Sequence, residues 1–150
     1  MTTFAREEIE REFKRRVEIQ ERNDWKAFGE TFTADAVYVE HHEGTFEGRD
    51  NILAWLVPVM ARCRGWTYPI DWVAIDGKRV IYHWLNRLPG RRPNGAFYEW
   101  PGISVIEYAG NGEWSFQEDI YNWELGEKVI KDYIADKAAR KEQQAQQQQQ

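Results

Sequence analysis

Along the first 22 residues an apolar side chain returns at every fourth position, Ala5, Ile9, Phe13 and Val17, with charges between them. That period predicts an amphipathic helix over residues 3–22. Asn23 and Asp24 interrupt it and can cap a second, short helix bearing Trp25, Phe28 and Phe32. A strand is expected over Ala36 to His41. Asp50 then has the chemistry of an N-cap for a helix that buries Ile52, Leu53, Leu56, Val57 and Met60, kinked at Pro58, whose ring removes a backbone donor and clashes with the preceding turn.

From Trp66 onward the pattern is that of strands. Trp66 to Ile75 reads as a strand broken or edge-placed at Pro69, Asp76-Gly77 as a hairpin turn, and Arg79 to Leu88 as the next strand. The Pro- and Gly-rich Pro89 to Gly95 reads as a loop. Phe97 to Tyr108 reads as a long strand with a bulge expected at Pro101-Gly102. Ala109 to Gly112 turns the chain into Glu113 to Asn122. A closing helix is expected from Leu125 to Lys141, with Leu125, Val129, Tyr133 and Ile134 on one face. Helices first, then a strand, a helix and a four-strand antiparallel meander make the class α+β. The reading is one domain over residues 1–141 and a disordered, glutamine-rich tail over residues 142–150.

Composition changes this picture in three places. With 150 residues the chain has room for one core. Eight Trp, seven Tyr and seven Phe are many for so small a core, and fit either an aromatic core or a pocket for flat apolar ligands. The net charge of −5 offers no basic excess for nucleic acid. Cys63 is alone, which excludes an intramolecular disulfide. The N-terminus lacks an apolar signal region and no run reaches membrane-span length, so the expectation is a cytoplasmic protein without a membrane partner.

The strings FTADAVYVE, FEGRDNILAWL, GKRVIYHWLNRLPG, GISVIEY and WSFQEDIYN, in this order, resemble the SnoaL-like branch of the nuclear transport factor 2-like superfamily over nearly the whole chain to about residue 135. The resemblance implies a cone: a curved antiparallel sheet with the N-terminal helices packed on its concave face. The superfamily includes polyketide cyclases, ketosteroid isomerases, dehydratases and limonene-epoxide hydrolases. A local similarity to the last of these is also present. In that family one strand after a Gly-x-Arg-Val turn carries an Arg and an Asp two residues apart, and here Trp84 and Asn86 stand at those positions. The second Asp of the family matches Asp119, and its first-strand Tyr and Asn correspond to Tyr38 and Glu40. The Asp–Arg–Asp relay is therefore broken at two of its three members, so the resemblance implies a pocket in the same place rather than that epoxide hydrolysis.

If the resemblance holds, strand alternation turns Tyr38, Glu40, His42, Tyr82, Trp84, Asn86, Gln117, Asp119 and Tyr121 into the cone. Ile81, Leu85, Phe116 and Ile120 then lie on the outer face, and a sheet apolar on both faces implies a homodimer through that side. A carboxylate among Trp and Tyr rings has its pKa raised by desolvation, which suits acid–base work near neutral pH. Asp119 is the first candidate and Glu40 the second, with Tyr38 and Asn86 as neutral donors; the alternative is a carboxylate that only satisfies buried hydrogen bonds. Trp84, Tyr82, Tyr98 and Trp100 are expected to shape the ligand site, with His42, Gln117 and Tyr121. Arg91 and Arg92 read either as an anion clamp at the cavity or as a solvated hairpin loop. A metal site at Glu40-His41-His42-Glu43 is disfavoured, because adjacent strand histidines point apart. The expected function is cofactor-free isomerisation, cyclisation, dehydration or hydration of a small hydrophobic or aromatic molecule, or its binding without catalysis.

Overall fold

Helix α1, Arg6–Glu21, buries Ile9, Phe13, Arg16 and Ile19, in the computed structural model that describes residues 3–149. The steps of four, three and three follow the 3.6-residue turn, so the buried stripe takes in an arginine, with Val17 half-buried against the core beside it. Ala5 is the N-cap rather than a core position. Asp24 caps α2, Trp25–Glu30, by accepting from the Ala27 amide at 3.1 Å. Phe32 belongs not to this helix but to strand β1, Phe32–Glu40, where it is fully buried.

β1 ends at Glu40. Residues 41–43 turn the chain into a short strand, β2 (Gly44–Glu47), which the sequence pattern did not reveal. Helix α3, Arg49–Arg62, starts one residue before Asp50, with Gly48 as its cap at φ 86°, and runs without interruption past Pro58. It buries Ile52 and Leu56 and leaves Val57 outside.

Strands β3 (Ile70–Asp76), β4 (Arg79–Arg91), β5 (Phe97–Gly110) and β6 (Glu113–Tyr121) complete one six-stranded sheet in the order β2-β1-β6-β5-β4-β3. All neighbours are antiparallel except β1 and β6. β4 continues through Pro89-Gly90, and the irregularity falls between Arg87 and Arg91. No bulge occurs at Pro101-Gly102, where Leu85 faces Pro101 and Trp84 faces Gly102 in regular register. The reason is local. Leu85 gives its N–H to Pro69 O at 3.0 Å, so the Leu85–Pro101 pair exchanges no backbone bond, and β6 ends opposite Gly102. A proline without a donor is harmless there.

The last helix, α4, spans Trp123–Gln147, with Asn122 capping the Leu125 amide at 3.3 Å. It continues past Lys141 into residues expected to be disordered, because alanine and glutamine are good helix formers and no Gly or Pro intervenes. Its packed face is Gly126, Val129, Ile130 and Tyr133, while Leu125 and Ile134 are exposed. α4 covers a second small core of Leu88, Tyr98, Trp100 and Val129; the main core lies between the concave sheet face and α1–α3. No helix among the described residues is long and apolar enough to cross a membrane.

Candidate functional site

Strand register sets the order of side chains along the concave face. One rung joins Val80, Ile106, Gln117 and Tyr38, and the next joins Tyr82, Ser104, Asp119 and Glu40. A third carries Trp84, Gly102 and Tyr121; a fourth, nearest α4, carries Asn86 and Trp100. Between this face and the helices lies a cavity of about 340 Å³, walled by aromatic side chains from both layers.

Asp119 is the polar centre of this cavity. Its Oδ1 accepts from Ser104 Oγ at 2.6 Å and Gln117 Nε2 at 2.9 Å, and its Oδ2 accepts from the Tyr38 hydroxyl. Two acceptor sites are thus taken on Oδ1 and one on Oδ2, leaving a free lone pair on Oδ2. Burial pushes the Asp119 pKa up, and the three donors, Ser104 first, hold it back only in part. Burial and the neighbouring Asp119 raise the Tyr38 pKa well above the ordinary phenol value, which keeps Tyr38 a donor.

Behind this centre stands a residue the sequence reading passed over. Arg16 of α1 is 2% exposed. Its guanidinium gives one hydrogen bond to Gln117 Oε1 at 2.7 Å and another to Thr31 Oγ1 at 3.2 Å. It also lies over the Phe28 ring at 3.9 Å and the Phe32 ring at 4.9 Å. Because Arg16 takes the Gln117 oxygen, both Nε2 protons are directed the other way, to Tyr38 Oη at 2.8 Å and to Asp119. Arg16 therefore fixes the sense of the Gln117 amide, and through it the donors on Asp119. Desolvation lowers the Arg16 pKa, while Tyr82, Tyr38 and Asp119 pull it back up. The signal for Arg16 was its spacing, three residues from Phe13 and seven from Ile9, on the buried stripe.

Ser104, also missed, is a small residue in an apolar strand, but it shares the inward parity of Tyr98 and Trp100. It connects Asp119 to the Trp84 indole, whose Nε1 donates to Ser104 Oγ at 2.8 Å. Gly102 makes room for that indole: a Cβ there would lie 2.6–2.9 Å from three of its ring atoms. Trp84 thus rests flat on the β5 backbone.

The remaining expected residues separate by place. Tyr82, Tyr121 and Trp100 line the cavity, and burial raises the pKa values of Tyr82 and Tyr121. Asn86 also lines it, two rungs from Asp119 rather than beside it. Glu40 lines it too, but its oxygens accept the backbone amides of His42 at 3.2 Å and Glu43 at 2.7 Å, closing the β1–β2 turn. His42 borders the cavity, stacked on Trp123 with centroids 4.0 Å apart. His41 turns outward to Glu118. Tyr98 is not in the cavity; it sits in the second core and donates to Asp136 at 2.7 Å. Arg91 and Arg92 form no clamp on the cavity. Arg92 pairs with Asp132 of α4 at 2.9 Å, and Arg91 stays within its own hairpin, over the Phe97 ring at 4.0 Å and donating to Gly95 O at 2.9 Å. Trp25, Phe28, Trp55, Trp66, Tyr68 and Trp123 complete the aromatic lining. Helical and loop aromatics carry no parity signal, so strand alternation could not place them. Among the described residues no group of three or more His, Cys, Asp or Glu converges to hold a metal ion.

Comparison with known proteins bears on the whole arrangement. Residues 13–116 match the SnoaL-like domain. No curated protein matches the chain. Among solved structures, an LEH-like epoxide hydrolase of M. tuberculosis is 14% identical with a TM-score of 0.66, covering 89% of this chain and 92% of its own. TerC, co-crystallised with polyporic acid, is 15% identical with a TM-score of 0.65, over 82% and 98%. An NTF2-like protein of Burkholderia thailandensis is 17% identical with a TM-score of 0.65, over 87% and 98%. At these identities the likeness is one of fold.

Proposed function

The chain belongs to the SnoaL-like family, and from that premise we propose that it binds a small, flat hydrophobic molecule in the cone cavity and moves a proton to or from it through Asp119, without a cofactor. The observation that carries this reading is the buried Asp119 carboxyl with a raised pKa and one uncommitted lone pair, facing an aromatic cavity. Such a group is poised to take a proton from an acidic C–H or O–H and to return it elsewhere on the same molecule. Tyr38 and Gln117 hold the carboxylate form as it develops, and the aromatic walls exclude water. Isomerisation, aldol-type cyclisation, dehydration and hydration all need this one step. Hydrolysis through an Asp–Arg–Asp relay does not fit, since Trp84 and Asn86 supply neither the arginine nor the second carboxylate.

A second reading, binding without chemistry, is favoured by one feature: Asp119 already accepts three hydrogen bonds. Titration of the Asp119 carboxyl by NMR, with Asp119→Asn to assign the signal, separates the two. A pKa well above about 4 is the expected result and directs a screen of enones, epoxides and polyketide-like compounds. A value at or below it leaves the binding reading.

The protein also pairs with a second copy through the outer sheet face. Trp72, Ile103 and Ile120 share one rung there with His83, which pairs with Asp71, and Trp72 and Ile120 are close to half exposed. Its border mixes signs, with Arg87–Glu99 at 2.6 Å and Lys78–Glu107 at 2.7 Å, as a face that meets its own copy requires.

A further inference from the structure

Asn86 is 7% exposed and lines the cavity, yet its carboxamide makes no side-chain hydrogen bond within the protein among the described residues. Buried amides ordinarily find partners, because an unmet donor or acceptor costs the full desolvation of the group. Around Asp119, Ser104, Gln117, Tyr38 and the Trp84 indole are all engaged. The buried indole N–H groups of Trp55 and Trp100 are also without partners; the Asn86 carboxamide lines the cavity away from Asp119. Asn86 is four residues from Tyr82 along β4, and Tyr82 shares the Asp119 rung, so the two levels are roughly 13 Å apart along the strands. Between them lies Trp84, one face on Gly102 and its N–H already given to Ser104. It offers the cavity a flat apolar platform with no polar demand.

We propose that the Asn86 carboxamide anchors the end of the ligand remote from Asp119, so that the cavity selects an elongated, flat, uncharged molecule with a hydroxyl or carbonyl at each end. This rests on the cavity reading above and adds to it the length and two-ended polarity of the ligand. Asn86 offers a donor and an acceptor but no charge, which matches a neutral oxygen and discriminates against a purely apolar end. One terminal group then meets Asp119, the ring system stacks over Trp84, and the other terminal group reaches Asn86.

The test uses two probes, a trans-stilbene with a para hydroxyl at both ends and its mono-hydroxyl counterpart, titrated calorimetrically into the full chain and into Asn86→Leu. Thermal unfolding confirms that the variant folds, and Asn86→Ala serves if leucine does not fit. The full chain is expected to bind the two-ended probe about tenfold more tightly than the one-ended probe, the yield of one good neutral hydrogen bond. Asn86→Leu should erase that difference while keeping the one-ended affinity. Equal binding of both probes by the full chain, or an equal loss for both in the variant, overturns the anchor and leaves the cavity reading standing. If neither probe binds, the cavity reading fails and the anchor fails with it.

Discussion

At the scale of single residues, Arg16 is the most consequential side chain of the cavity floor although it does not face the ligand space. Replacing it with methionine keeps much of the stem's packing but leaves Gln117 Oε1 without its donor. Loss of one partner from a buried pair costs about 1–3 kcal/mol, so Arg16→Met should lower the unfolding free energy by that amount, read as a lower urea midpoint. It should also raise the Asp119 pKa further, since the amide is then free to rotate and the nearby positive charge is gone. An unchanged Asp119 titration in a folded variant would count against this coupling. Asp119 itself makes stability depend on pH. Its pKa is raised in the folded chain, so the fold holds the proton more tightly than the unfolded chain does. Below about 3.9, the ordinary aspartate value, both states are protonated and the contribution is fully present. As pH rises through the folded pKa, the fold must carry a desolvated charge and the contribution is lost. Asp119→Asn has no proton to lose. Measured by urea unfolding from about pH 4 to about pH 8, the wild-type chain should lose stability relative to this variant as pH rises.

At the scale of elements, β5 shows how one glycine organises a rung. Gly102→Ala places a methyl group against the Trp84 ring, forcing the indole off Ser104. Overpacking of this kind costs about 1–3 kcal/mol, and the displaced tryptophan should show a shifted fluorescence maximum at constant far-ultraviolet dichroism. The end of α4 behaves in the opposite way. Residues 142–147 are helical but fully exposed, so a chain ending at Lys141 should unfold at the same temperature as the full one. A drop of several degrees would reveal a contact for the glutamine run. Strands and helices with strong periods were legible in the sequence. β2 was not, because four residues of Gly-Thr-Phe-Glu carry too little alternation to register. Phe32 was misplaced for a related reason. Its spacing from Phe28 fits a helical turn, but pairing with Trp114 across β6 outweighs that local preference.

At the scale of the molecule, the outer sheet face yields the last prediction. Ile120→Lys puts a charge at the exposed β6 end of the proposed dimer rung, and sedimentation should find a folded monomer where the wild-type chain is a dimer. A wild-type monomer at micromolar concentration would remove the pairing proposal without touching the cavity. Much of this molecule was determined by sequence alone. The α+β class and the alternation within each strand follow from periods of 3.6 and 2, which are properties of the backbone and are written locally; that Tyr38, Tyr82, Trp84, Asn86, Gln117 and Asp119 share the inner face was implied by the family resemblance. Which of these residues touch was decided only by tertiary structure. Register placed Asn86 two rungs from Asp119, α4 drew Tyr98 and Arg92 away from the cavity, the hairpin itself held Arg91, and the β1–β2 turn took up the oxygens of Glu40. Arg16 reached Gln117 across 101 positions of chain. Such contacts depend on how one element lies over another, and no local period encodes that.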